Sequence, residues 1–361
     1  MRRTGWWIGT LGLALIVGIG TGFHHNAWAQ SGPVSLWMGE NNADDSVDGN
    51  HGILVDGGYI VDGVEGMAFS LDGGGYVDIG NKDNLNFGTG DFTVTFWVKT
   101  KQAPTGNDQK VFVNKQTSLT SVGRTGFEVI LASPSFVPQV QGTVIFVIRD
   151  GVVRDDINGA GIASKKTVND GNWHNVAAVK TASYLSLCID GVFQGVKPHQ
   201  VTGSISTSTN FRIGELSDRT TGTHEFKGGL DEIAVYNRAL TPGELGCPTV
   251  GIDIKPGGSP NSINPANRGK IPVAILSTST FLAPSDVDVN SLRFGFTGYE
   301  ASLAFCNVNG EDVDRDGVLD LVCHFDTVLT AFQEGDTLGY LTGTTTDGFP
   351  LFGVDSVRIV R

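Results

Sequence analysis

Beyond its first thirty residues the 361-residue chain has no apolar run long enough to span a bilayer as a helix, no run of Lys or Arg longer than a pair, and almost no helical periodicity. It is also poor in methionine (3) and cysteine (4). Each shortage excludes something. With no clustered cations, and with 38 acidic residues against 25 basic ones for a formal charge of −13, the electrostatic footprint of a DNA- or RNA-binding protein is missing. Without a 3.6-residue apolar repeat a helical bundle is excluded. Wholesale disorder is excluded too, because 40% hydrophobic residues against 17% charged ones is enough apolar surface to offset chain entropy. What the chain has in abundance is glycine, 50 residues of it, placed between short runs of β-branched and aromatic residues. Its length leaves room for two ordinary cores.

The N-terminus predicts the compartment. Arg2 and Arg3 precede an apolar or small stretch from Trp6 to Phe23, and Ala27-Trp28-Ala29 has the small-x-small form accepted by signal peptidase. Residues 1–29 therefore read as a secretory signal, the alternative being an uncleaved anchor helix. Cleavage after Ala29 would remove Arg2 and Arg3 and leave 23 basic residues against 38 acidic, a balance of −15. A secreted, cell-surface or periplasmic protein without a membrane span after cleavage is expected.

From Gln30 onward the runs Tyr76–Ile79, Phe92–Val98, Val111–Val113, Phe127–Leu131, Val144–Ile148, Asn175–Val179, Tyr184–Ile189, Phe211–Gly214 and Glu232–Tyr236 predict strands. In the run from Phe92 to Val98, Phe92, Val94, Phe96 and Val98 would share a core face and Trp97 would point the other way. Asp190-Gly191 predicts a two-residue hairpin turn, since both residues tolerate positive φ. Leu240–Leu245 predicts one capped helical turn, and a boundary falls at 246–250. A second set of strands follows: Ile252–Ile254, Ile271–Leu276, Leu292–Phe296, Leu321–Phe325 and Val357–Val360. The fold class expected is all-β: a two-sheet sandwich over 30–246, then a smaller β-sandwich over 251–361.

The strongest chemical signal is the stretch from Asp312 to Asp320, which matches D-x-D-x-D-G-x-x-D. Asp312, Asp314, Asp316 and Asp320, with the main-chain carbonyl of Val318 and with Gly317 permitting the sharp turn, would surround one hard cation with oxygen. Calcium is expected; magnesium suits such a loop less, because it demands a tighter octahedron and keeps its waters. An EF-hand would add a bidentate Glu at its twelfth position, which here is Cys323, so the shell is weaker unless another group, for instance Asn309 or Glu311, completes it. Cys306 and Cys323 flank this loop and, if its arms pair as a hairpin, fall within disulfide range. Cys188, in the strand-like Tyr184–Ile189 run, is either a buried small hydrophobe or a partner for Cys247.

Other constellations are absent from the sequence. The five histidines left after cleavage, His51, His174, His199, His224 and His324, show no zinc-like spacing. There is no G-x-S-x-G elbow, no phosphate loop and no E-x-D-x-x-E strand.

Two resemblances join these readings. The stretches Leu36–Glu40 and Asp45–Gly52, Phe69–Gly73 with Tyr76–Ile79, Phe92–Val98, Asp170–Ala177, Ile189–Gly191 and Gly229–Leu240 together resemble a laminin G-like domain of the concanavalin A-like jellyroll type. That resemblance implies binding of glycans, proteins or matrix, often with calcium at one edge. Here Glu40, Asp48, Asn50 and Asp231 would supply that second ion, or act only as turn-forming and capping side chains. Asp253–Gly257, Pro260–Pro265, Gly269–Leu276 and Asp312–Phe325 resemble a module found at the C-termini of bacterial secreted proteins, which implies export and calcium. The expected function is a non-catalytic binding or adhesion protein for an extracellular carbohydrate or protein. A polysaccharide-active enzyme and a structural surface or matrix component are the alternatives.

Overall fold

The 92–98 run forms as its alternation requires. In the strand Phe92–Lys99, the side chains of Phe92, Val94, Phe96 and Val98 are fully buried in one core while Trp97 faces the opposite side and is half-buried. The computed structural model describes residues 32–60, 62–106, 108–117, 123–134, 141–152, 161–217, 224–247 and 249–361. The expected signal, 1–29, lies outside the described residues.

The strand Phe92–Lys99 pairs antiparallel with Trp173–Lys180 on one side and Lys227–Tyr236 on the other. These three are the centre of an eight-stranded sheet that continues outward through Tyr184–Ile189 and Val192–Pro198, and through Ala68–Asp72 and Gly58–Ile60, with Ser35–Trp37 also paired to Lys227–Tyr236. A seven-stranded sheet, ordered Gly161–Thr167, Thr143–Asp150, Thr125–Leu131, Lys110–Gln116, Phe211–Ile213, Tyr76–Gly80 and Ile53–Val55, covers its inner face. Aromatic contacts knit the two layers, with Phe92 and Phe127 centroids 4.8 Å apart and Phe96 and Phe112 5.3 Å apart. Trp37 fills one end of this core and donates its indole N–H to Asn50 O at 2.9 Å, so its one polar atom is satisfied. The Asp190-Gly191 turn has φ of 51° and 72°, the primed-turn geometry that links Tyr184–Ile189 to Val192–Pro198. At 242–246 the chain makes a single turn. Thr241 and Glu244 cap it reciprocally, Thr241 N donating to Glu244 Oε2 at 2.9 Å and Glu244 N to Thr241 Oγ1 at 3.4 Å.

The C-terminal strands build a second, smaller core. A four-stranded sheet runs Ile252–Ile254, Lys270–Ile275, Asp320–Asp326, Leu303–Glu311, and a three-stranded one runs Arg293–Gly295, Leu338–Thr344, Pro350–Ser356. Between them lie Ile254, Val273, Phe294, Leu321, Phe325 and Leu341, all fully buried. Three strands here, Leu303–Glu311, Leu338–Thr344 and Pro350–Ser356, were not expected. The first is a sheet edge whose side chains are mostly exposed, so no alternation marks it, and the other two are interrupted by glycines and threonines. Residues 33–361 form one compact unit. Within it, Phe193 stacks on Phe352 at 4.4 Å and Tyr184 meets Tyr340 edge-on at 5.3 Å, so the eight-stranded sheet packs against the three-stranded one. Cys188 and Cys247 are disulfide-bonded, and Cys306 and Cys323 form a second bridge; no free cysteine remains. Of the two readings of Cys188, the bond to Cys247 is the one the structure has.

Candidate metal centres and polar sheet faces

The acidic loop is the tip of a hairpin. Its arms, Leu303–Glu311 and Asp320–Asp326, place Cys306 directly opposite Cys323 and close on the pair Glu311 and Asp320. Asp320 anchors the loop from inside. It is fully buried, and its two oxygens accept the amides of Ser277 at 2.8 Å and Val313 at 2.9 Å. The exposed acids then fold around it by short side-chain-to-backbone bonds: Asp314 Oδ1 accepts Asp316 N at 3.1 Å, Asp316 Oδ1 accepts Val318 N at 2.8 Å, and Asp312 Oδ2 accepts Gly317 N at 3.3 Å. The tight turn requires positive φ at Arg315 and Gly317, 67° and 90°.

This geometry brings ligand oxygens of Asp312, Asp314 and Asp320 within 4.8 Å of one another. Asp316 and Val318 lie on the same loop outside that trio. Glu311, a proposed completing ligand, instead has Oε1 accepting Asn307 Nδ2 at 3.3 Å. Among the described residues no Lys or Arg forms an ion pair with Asp312, Asp314 or Asp316. One oxygen of each of these three is taken by a loop amide and the other is left over. Converging hard oxygen donors without a protein counter-charge fit calcium, and a bound ion would supply the missing positive charge.

The second candidate set divides. Glu40 and Asp231 sit on the turn 63–67: Glu40 Oε1 accepts Met67 N at 3.0 Å and Asp231 Oδ2 accepts Val64 N at 2.7 Å. Asp48 and Asn50 sit elsewhere, on Asn84, which donates to Asp48 Oδ2 at 2.8 Å and accepts from Asn50 Nδ2 at 3.1 Å. Asn50 and Asp48 also donate their amides to the buried Asp45. Two acids that sequence reasoning missed, Glu65 and Glu232, join Glu40 and Asp231. Burial, then the charges of Asp231, Glu65 and Glu40, push the Glu232 carboxyl up to about 7. Asp231 is also raised, chiefly by burial. The signal available in the sequence was the adjacency of Asp231 and Glu232. The backbone at Glu232 turns to φ 49°, where the register slips beside Phe92–Lys99.

Two further polar faces are built by register alone. On the outer face of the eight-stranded sheet, Trp173, Lys99 and Gly229 lie in one cross-strand row, and Asn175, Trp97 and Asp231 in the next. On the seven-stranded sheet, Asn114 opposes Glu128, and Gly126 opposes both Gln116 and Arg149. There Arg149 Nη1 donates to Glu128 Oε1 at 2.8 Å and to Gln116 Oε1 at 2.7 Å, while Gln116 Nε2 donates to Glu128 Oε2 at 2.8 Å. All four side chains are buried. Scattered over three strands, they left no contiguous motif to read.

Residues 71–246 match the family described as the concanavalin A-like lectin/glucanases superfamily, in its laminin G form. This segment is a concanavalin A-like jellyroll. No curated protein matches the chain. Among solved structures, domain 4 of AbnA, an extracellular GH43 arabinanase from Geobacillus stearothermophilus in complex with arabinotriose, is 18% identical, with 60% of this chain and 97% of that one covered and a TM-score of 0.45. The binding domain of Paraclostridial Mosquitocidal Protein 1 is 13% identical, with 90% and 75% covered and a TM-score of 0.43. The binding domain of botulinum neurotoxin serotype D is 12% identical, with 60% and 50% covered and a TM-score of 0.42.

Proposed function

We propose that the protein is exported after loss of residues 1–29, that its jellyroll over 30–246 binds an extracellular carbohydrate or protein without transforming it, and that calcium in the 312–320 loop fastens the β module over 251–361. The observation that carries this reading is the match of residues 71–246 to a superfamily of lectins and glucanases, proteins that share carbohydrate contact. Two disulfides support the extracellular setting, since such bonds persist in oxidising compartments. Calcium is supported by the trio Asp312, Asp314 and Asp320. A second ion would draw on Glu40 and Asp231.

Binding is favoured over catalysis by the state of Glu128. Glycoside hydrolysis uses two carboxyl groups at a defined separation, one of them free to exchange a proton with the leaving group. Glu128 has both oxygens engaged, by Arg149 and by Gln116, and is fully buried. A glycan array and pull-down with the full mature chain, calcium present, is expected to return a glycan or protein ligand, with no reducing sugar released from a polysaccharide panel. Release of sugar that is lost in Glu128→Gln would replace this reading with an enzymatic one, and absence of any ligand would remove it.

A further inference from the structure

One end of the outer sheet face carries charge of the wrong sign for this protein. A cavity of about 460 Å³ opens at the end of the strand Phe92–Lys99, and its lining includes Lys99, Lys101 and Lys227. Among the described residues none of these three ammonium groups has a carboxylate within ion-pair distance. The chain is otherwise strongly acidic, with a formal charge of −13. Lys227 lies opposite Asp72 in the strand register without an ion pair between them, so three lysine side chains border the cavity with their charge available to an anion.

The site is held in shape by neutral groups. Thr100 Oγ1 donates to Lys227 O at 2.6 Å and Lys227 N donates to Gln102 Oε1 at 2.7 Å, so the backbones that carry the lysines are tied together. A flat apolar surface adjoins it. Trp173 lies against Gly229, where an added Cβ would come within 2.7 Å of the indole, and Lys99 Nζ sits 5.8 Å from the Trp173 ring centroid. The indole N–H donates to Asp62 O at 3.2 Å, which fixes the ring plane. An aromatic plane beside a cationic, partly enclosed cavity is the chemistry that takes a sugar ring by stacking and its acidic substituent by charge.

We infer that the Lys99, Lys101 and Lys227 cavity beside Trp173 binds the carboxylate or sulfate group of an acidic saccharide. The inference rests on the carbohydrate-binding reading above and names the ligand class. The test uses the mature full-length protein, calcium held constant, titrated calorimetrically with short oligogalacturonate against its methyl ester, and with dextran sulfate oligomers against dextran. Binding of the charged member of a pair, at least tenfold tighter than the neutral one, weakened by salt and lost in a Lys99→Gln, Lys101→Gln, Lys227→Gln triple variant of unchanged melting temperature, bears the inference out. Which pair discriminates tells carboxylate from sulfate. Trp173→Phe, which keeps a ring, should lose less than the triple variant. Equal affinity for charged and neutral members overturns this inference and leaves the carbohydrate reading standing. Binding of none of the four, while the array finds other sugars, overturns it as well, and binding of no sugar anywhere overturns both.

Discussion

Asp45 shows how one side chain can hold an entire loop. Its Oδ1 accepts the amides of Leu36 at 2.9 Å and Val47 at 3.0 Å, and its Oδ2 those of Asp48 at 3.2 Å and Asn50 at 3.0 Å. Burial works to raise this carboxyl, but the four amides outweigh it and hold it below the usual carboxylate range. Asp45→Ala would leave four amides without their acceptor in a turn whose ends, Asp45 and Asn50, are buried while 46–49 are exposed, and a loss of about 1–2 kcal/mol in urea unfolding is expected. Because the folded-state value lies below the unfolded one, Asp45 contributes stability that is full above about pH 4 and lost as pH falls through the folded value. The variant should therefore show a shallower acid limb than the wild type, and identical limbs would contradict the assignment. Lys115 is the counterpart of opposite charge. Buried at the core, it donates to Asn81 Oδ1, Thr207 O and Thr209 O, and burial pushes its amine down to about 8.

At the scale of elements, the hairpin 303–326 carries both a disulfide and the acidic loop. The Cys306–Cys323 bond has a sequence separation of 17, and closing a loop of that size contributes about 3 kcal/mol by restricting the unfolded chain. A Cys306→Ser, Cys323→Ser double variant should unfold earlier by about that amount and bind calcium more weakly, since the arms that position Asp312 and Asp320 are no longer pinned. An unchanged unfolding midpoint would show that the ladder alone holds the hairpin. This hairpin also marks where sequence reasoning works and where it stops. Strands with one buried face, such as Phe92–Lys99, declare themselves by alternation, and the acidic loop by local spacing, because both patterns are contiguous. The edge strand Leu303–Glu311 has no buried face to declare it. Sites assembled across strands, such as Glu40 with Glu65, Asp231 and Glu232, or Glu128 with Arg149, depend on register, which spacing along the chain does not encode. The four residues first grouped for a second ion are divided for the same reason.

Across the whole molecule, two apolar cores meet through the Phe193 and Phe352 stack, with the Cys188–Cys247 bridge at the crossing between them. A protein of net charge −13 spends part of its stability on self-repulsion, and the carboxylates converging at 312–320 concentrate it. A divalent cation bound only by the folded state would relieve this and stabilise the fold by mass action. Calorimetry of the mature protein with calcium measures this most directly. A dissociation constant of about 0.1–1 mM is expected, with a rise in melting temperature of about 3 °C or more at tenfold excess over that value, both largely removed in Asp314→Ala, which deletes one of the three converging carboxylates. No heat of binding and no thermal shift in the wild type at millimolar calcium would contradict the account.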